Sequence, residues 1–118
     1  MSKHNDLGRK GESLAVQFLL TKGHQILETN YRYEHKEIDV ISVLEDILVF
    51  TEIKSRSSYS FGFPEEAVST RKQNLLKQAA EYYCMQHPQY LKIRFDVVSI
   101  LIRNDGTTEI LHFEDAFY

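Results

Sequence analysis

The chain has 118 residues, 42% hydrophobic and 26% charged, with a formal net charge of −3. That size suits one compact domain over residues 1–118, and the acidic balance argues against nonspecific, high-affinity coating of nucleic acid. No apolar run approaches the roughly 18 residues of a membrane span, so no membrane partner is expected; "MSKHNDLGRKGES" lacks the apolar stretch of a secretory signal, and the single cysteine, Cys84, can form no internal disulfide, which makes a reducing cytoplasm the expected compartment.

Asn5 or Asp6 can cap a first helix with Leu14, Ala15, Phe18 and Leu19 on one face. Gly23 falls where a left-handed cap would close it. "QILETNYRY" reads as a short strand, and residues 37–44 and 47–55 read as two strong strands around a Glu45-Asp46 turn. "SRSSYSFGFP" is a loop by its Ser, Gly and Pro. The apolar spacing from Glu65 to His87 predicts a helix, with a break near Ser69-Thr70 and a stop at Pro88. "KIRFDVVSILI" is apolar on both faces, as a central strand is. Asn104-Asp105-Gly106 turns the chain into a last strand, "TEILHF". The order α-β-β-β-α-β-β fits an α/β fold in which helices flank a mixed sheet, the long helix serving as a crossover.

The two strong strands carry charges where burial is costly: Asp39 and Glu52 lie inside apolar runs, and Lys54 follows. With Glu45 and Asp46 as turn residues, opposed positions sum to 91, so Asp39 faces Glu52 and Glu37 faces Lys54 on one face of the hairpin. The other face receives Ile38, Val40, Val49 and Ile53. Opposed Cβ atoms lie about 4.5–5.5 Å apart, and two carboxylates at that separation repel by roughly 3 kcal/mol at an effective dielectric near 20.

Three things can offset that repulsion: a proton shared by the pair, Lys54 as a structural counter-charge, or a divalent cation. Hard oxygen ligands in a partly open site suit magnesium, which takes one or two carboxylates and keeps several waters. The carbonyl of Ile53 is a further candidate ligand. Residues i and i+2 of a strand share a face, so Lys54 points where Glu52 points, and its ammonium can stabilise charge developing on a phosphorane-like centre. The pattern alone leaves the metal site and the structural ion-pair cluster both open.

Asp39, twelve residues, then Glu52-Ile53-Lys54 resembles the PD-(D/E)xK motif of the restriction-endonuclease-like nuclease fold, without its Pro. More closely, "GRKGESLAVQFLLTKGHQIL", "EIDVIS", "LVFTEIKSR", "FGFPEEAVSTRKQ", "RFDVVSI" and "DAF", in this order from Gly8 to Phe117, resemble the YraN-like family of small bacterial proteins with that fold. The chain is similar also to archaeal Holliday-junction resolvases, which place an acidic residue on the first helix near the metal; Glu12 takes that place here. The resemblance implies a Mg2+- or Mn2+-dependent endonuclease acting on DNA, branched or junction DNA included, or a descendant of one. It makes Asp39 and Glu52 metal ligands, Lys54 the catalytic lysine and Glu12 an accessory acid. Two positions depart from the family pattern: Lys36 replaces a usual Gly, and Thr51 a usual Val.

Arg56 and Lys72 flank the motif and can contact phosphates, as can Lys36. Arg71 and Lys77 fit a solvated helix face equally well. Tyr31, Tyr33, Tyr59, Phe61 and Phe63 can stack on unpaired bases or simply pack. Asp96 can pair with Arg94 or cap a loop instead of binding metal. The expected activity is metal-dependent hydrolysis of DNA; the rival is a noncatalytic nucleic-acid-binding or assembly module on the same fold. Cutting two strands with one site per chain favours a homodimer.

Overall fold

The computed structural model describes residues 3–58 and 68–117, with the backbone alone for residues 3–5. The elements run α1 (Lys3–Thr21), β1 (Gln25–Tyr33), β2 (Lys36–Leu44), β3 (Ile47–Arg56), α2 (Thr70–Gln86), β4 (Lys92–Ile102) and β5 (Thr108–Phe117), the expected α-β-β-β-α-β-β order. The loop read from "SRSSYSFGFP", with Tyr59, Phe61 and Phe63, and the start of the expected helix at Glu65 lie largely or wholly outside the described residues.

The five strands form one mixed sheet in the order β1-β2-β3-β4-β5. All neighbours are antiparallel except β3 and β4, which are parallel. A parallel pair needs a crossover, and α2 provides it. Its N-cap is Ser69, whose hydroxyl accepts from the Lys72 N–H at 3.2 Å, so the break expected near Ser69-Thr70 is where α2 begins. At the other end of α1, Gly23 adopts φ +94° and the His24 N–H reaches back to the Leu19 carbonyl at 3.0 Å. That is a glycine C-terminal cap.

Each helix covers one face of the sheet. Ala15 and Leu19 of α1 pack on Val40, Val98 and Ile100. Leu76, Ala79 and Tyr83 of α2 pack on Ile41, Phe50 and Phe95. Strand β4 is buried along most of its length because it is covered from both sides, as its unbroken apolar run predicts. No described helix is long and apolar enough to cross a membrane.

One face assignment needs correction. Ile38 belongs to the α2-side core, whereas Val40, two residues on, belongs with Ile53 to the α1-side core. Strict alternation would put Ile38 and Val40 together. The alternation breaks at Asp39, between them. On β1 the register is Thr29 with Val40 and Tyr31 with Ile38, which leaves Asn30 opposite Asp39, and Asn30 is left-handed at φ +53°. The local irregularity in both strands redirects side chains here, as bulge-like defects do.

Candidate functional site

The hairpin register is the one the turn arithmetic gives: Leu44 pairs with Ile47, and the ladder continues to Val40 with Thr51. It stops there. The next step would set Asp39 against Glu52, but the Asp39 carboxylate instead accepts from the Ile53 N–H at 2.8 Å. A side-chain oxygen thus satisfies a backbone donor that β2 would otherwise meet with its own carbonyl. The ladder ends, and a cleft borders Asp39.

Asp39 and Glu52 are close enough for each carboxyl to perturb the other. The Glu52 side chain is only 6% exposed, and its Oε2 is buried with no donor among the described residues. Burial first, and the Asp39 charge second, push the Glu52 carboxyl up to about 8. Burial also raises Asp39, against the opposing hydrogen bond from Ile53. Near neutral pH the pair therefore retains a proton, the state two crowded carboxyls adopt when no cation neutralises them. Lys54 and Lys72 each bring Nζ to 3.9 Å from Glu52 Oε1. Both contacts are at the long limit of an ion pair, and both side chains keep solvent access, so they compensate the pair only in part.

The first helix reaches the same place. A cleft of about 520 Å3 is lined by Gly8, Arg9 and Glu12 of α1, Asn30 of β1, Asp39 of β2 and Ser55 of β3, among others. The close approach of α1 depends on Gly11: a Cβ there would overlap Ser55 Oγ and come within 2.8 Å of Ser55 Cβ. Glu12 therefore stands on the wall of the cleft that holds Asp39, with its Oε1 accepting from the Asn30 side-chain amide at 2.6 Å. Among the described residues no three acidic, histidine or cysteine side chains converge on one point, so Glu12 lines the cleft without joining the pair.

The structure thus brings Asp39, Glu52, Ile53, Lys54 and Lys72 together; Glu12 shares its cleft with Asp39 and Ile53, whereas Glu52, Lys54 and Lys72 do not line it. Arg56 ends β3, and its Nε is buried with no acceptor among the described residues. Lys36 is elsewhere. Its ammonium pairs with Glu34 at 3.0 Å, lies 5.4 Å from the centroid of the Tyr33 ring, and lines a different, smaller depression with Tyr82 and Glu81. Glu37 pairs with Arg32 at 3.2 Å instead of facing Lys54, because the ladder has already ended. Asn30 and Arg9 also line the cleft that holds Glu12; nothing in the residue types flags Asn30, whose contact with Glu12 accompanies a left-handed backbone angle.

Asp96 is structural. Fully buried, it accepts from Arg94 through two bonds of 2.8 Å, from His112 Nε2 at 2.7 Å and from the Asp115 N–H at 3.0 Å.

Residues 11–100 match the uncharacterised protein family UPF0102. The chain belongs to that family. It is 46% identical over 118 residues to a UPF0102 protein of Flavobacterium psychrophilum, covering all of this chain and 98% of the relative. It is 40% identical to one of Christiangramia forsetii, covering all of this chain and 98% of that relative. It is 45% identical to one of Syntrophomonas wolfei, covering 97% of this chain and 99% of that relative. The YraN-like family resemblance read from the ordered sequence pieces is thereby supported, and it extends over nearly the whole chain.

Proposed function

We propose that this protein is a divalent-metal-dependent phosphodiesterase of the PD-(D/E)xK type acting on DNA, with Mg2+ or Mn2+ as its cation. The observation that carries the reading is the buried Glu52 beside Asp39, with Glu52 Oε2 lacking a donor among the described residues. Two carboxylates and a backbone carbonyl form the hard oxygen set that magnesium accepts while keeping waters. Asp39, Glu52 and the Ile53 carbonyl are the residues that would hold the ion. Bound there, the cation supplies concentrated positive charge to a phosphate ester.

The chain's own groups do the rest. Asp39 is fixed by the Ile53 N–H, so one ligand is oriented before anything binds. Lys54 is 30% exposed and Lys72 40%; each can turn from Glu52 toward a phosphate oxygen, where an ammonium stabilises charge that builds in the transition state. Arg56, at the end of β3, would grip an adjoining phosphate. Lys36 lies apart from this group, so any phosphate it meets is distant from the scissile one. Cutting two strands of a branched substrate would engage two copies of the chain.

The test is a panel of single-stranded, duplex, flap and four-way DNA substrates with Mg2+ or Mn2+. Cleavage by the wild type that Glu52→Gln and Lys54→Ala abolish supports the reading. Cleavage surviving in both variants would place the chemistry elsewhere. Binding without cleavage would turn the site into a recognition module on the same fold.

A further inference from the structure

We infer that Asn30 is a positioning residue that fixes Glu12 in the metal cleft, so that α1 acts as part of the site and not only as its cover. The inference rests on the metal reading above. Three observations meet at this residue. Its amide Nδ2 donates to Glu12 Oε1 at 2.6 Å, across two elements separated by 18 positions in sequence. Its backbone is left-handed at φ +53°, a conformation unfavourable to side-chain-bearing residues and best tolerated by Asn and Asp. And the β1–β2 register puts it opposite Asp39, the acid that anchors the pair.

The left-handed angle falls at the position where the β1 side chain donates a hydrogen bond to α1. A regular residue would keep β1 straight and give Glu12 no partner from the sheet. Arg9 lines the same cleft from one turn earlier on α1, yet the Glu12 hydrogen bond goes to Asn30 and not to its helical neighbour. A neutral amide leaves the full negative charge of Glu12 available to a cation, which an arginine partner would cancel. Without the amide, Glu12 regains the rotamer freedom of a long side chain at the rim of an open cleft. Partners that orient acidic groups around metals affect affinity by about tenfold or more when removed.

The experiment is a double-mutant cycle read by calorimetric titration with Mn2+ alone. Asn30→Gly suits it because glycine keeps the left-handed backbone without strain while removing the side chain that holds Glu12. We expect Asn30→Gly to weaken Mn2+ binding by about tenfold in the wild-type background and by less than about twofold in the Glu12→Gln background. Equal losses in both backgrounds, or no loss in the single variant, would overturn the inference. A wild type that takes up no Mn2+ would instead sink the metal reading. Crystal structures of the wild type and Asn30→Gly then decide the positioning role alone: a Glu12 side chain that leaves the cleft upholds it, and one that stays refutes it.

Discussion

The Asp39 carboxylate accepts from the Ile53 N–H at 2.8 Å, at the point where the β2–β3 ladder ends. That single bond explains how an acid comes to sit within an apolar hairpin. Asp39 serves the sheet with one oxygen and borders the cleft, so the carboxylate has a folding role beside the chemical role proposed for it. An asparagine retains the carbonyl acceptor and loses the charge, which makes Asp39→Asn the substitution that separates the two roles.

Metal affinity should rise with pH. The Glu52 carboxyl is held up to about 8 by burial and by Asp39, so a cation must displace a proton below that value. Apparent Mg2+ affinity is expected to increase by up to about tenfold per pH unit toward pH 8 and to level off above it. The sign for the metal-free protein is opposite to that of an ordinary ion-paired carboxylate. A folded-state value above the usual 4.5 means that this group's contribution to stability declines as pH rises from there through about 8. Thermal melts from pH 6 to 9 should show that decline in the wild type, a smaller one in Glu52→Gln, and a flatter profile with Mg2+. A metal response independent of pH would contradict the shared proton.

Gly11→Ala should loosen the join between α1 and β3. The added methyl overlaps Ser55 Oγ and crowds Ser55 Cβ, so α1 must shift, at a cost of about 1–3 kcal/mol by chemical denaturation. Because both contacts are on one side chain, Ser55→Gly in the same protein should recover most of the loss. Failure of that rescue would mean that the strain lies elsewhere.

Asp96→Asn should be among the most damaging substitutions. Burial alone would raise Asp96, but bonds from His112, Arg94 and the Asp115 N–H overcome it and hold the carboxyl at about 2. Replacing it leaves Arg94 without its buried counter-charge, a loss of about 3–5 kcal/mol in denaturant unfolding at neutral pH. The folded-state value lies below the ordinary 3.8, so the stabilisation is present above about pH 4 and disappears as pH falls through about 2. A neutral-pH deficit under about 1 kcal/mol would show that the network is dispensable.

Much of this architecture is legible in the residues, and the exceptions share a cause. "QILETNYRY" and "KIRFDVVSILI" coincide with β1 and β4, because apolar alternation and a buried central strand leave direct marks on composition. The 45-46 turn fixes the hairpin register as far as Val40 and Thr51, which leaves the two acids neighbours just beyond the end of the ladder. What cannot be read from a regular strand template is the defect at Asp39, which sends Ile38 and Val40 to opposite cores. Asn30 is hidden for the same reason: one backbone angle converts an ordinary polar strand residue into a contact with α1. Sequence proximity to Asp39 likewise gives no sign that Lys36 pairs with Glu34 around the β1–β2 turn.

The most direct measurement is calorimetric titration of Mn2+ into the wild type and Asp39→Asn at about pH 8. We expect saturable binding by the wild type and none by Asp39→Asn, with the variant as stable as the wild type in metal-free buffer. Equal binding by both proteins, or no binding by the wild type, would contradict the assignment of the Asp39–Glu52 pair as a cation site.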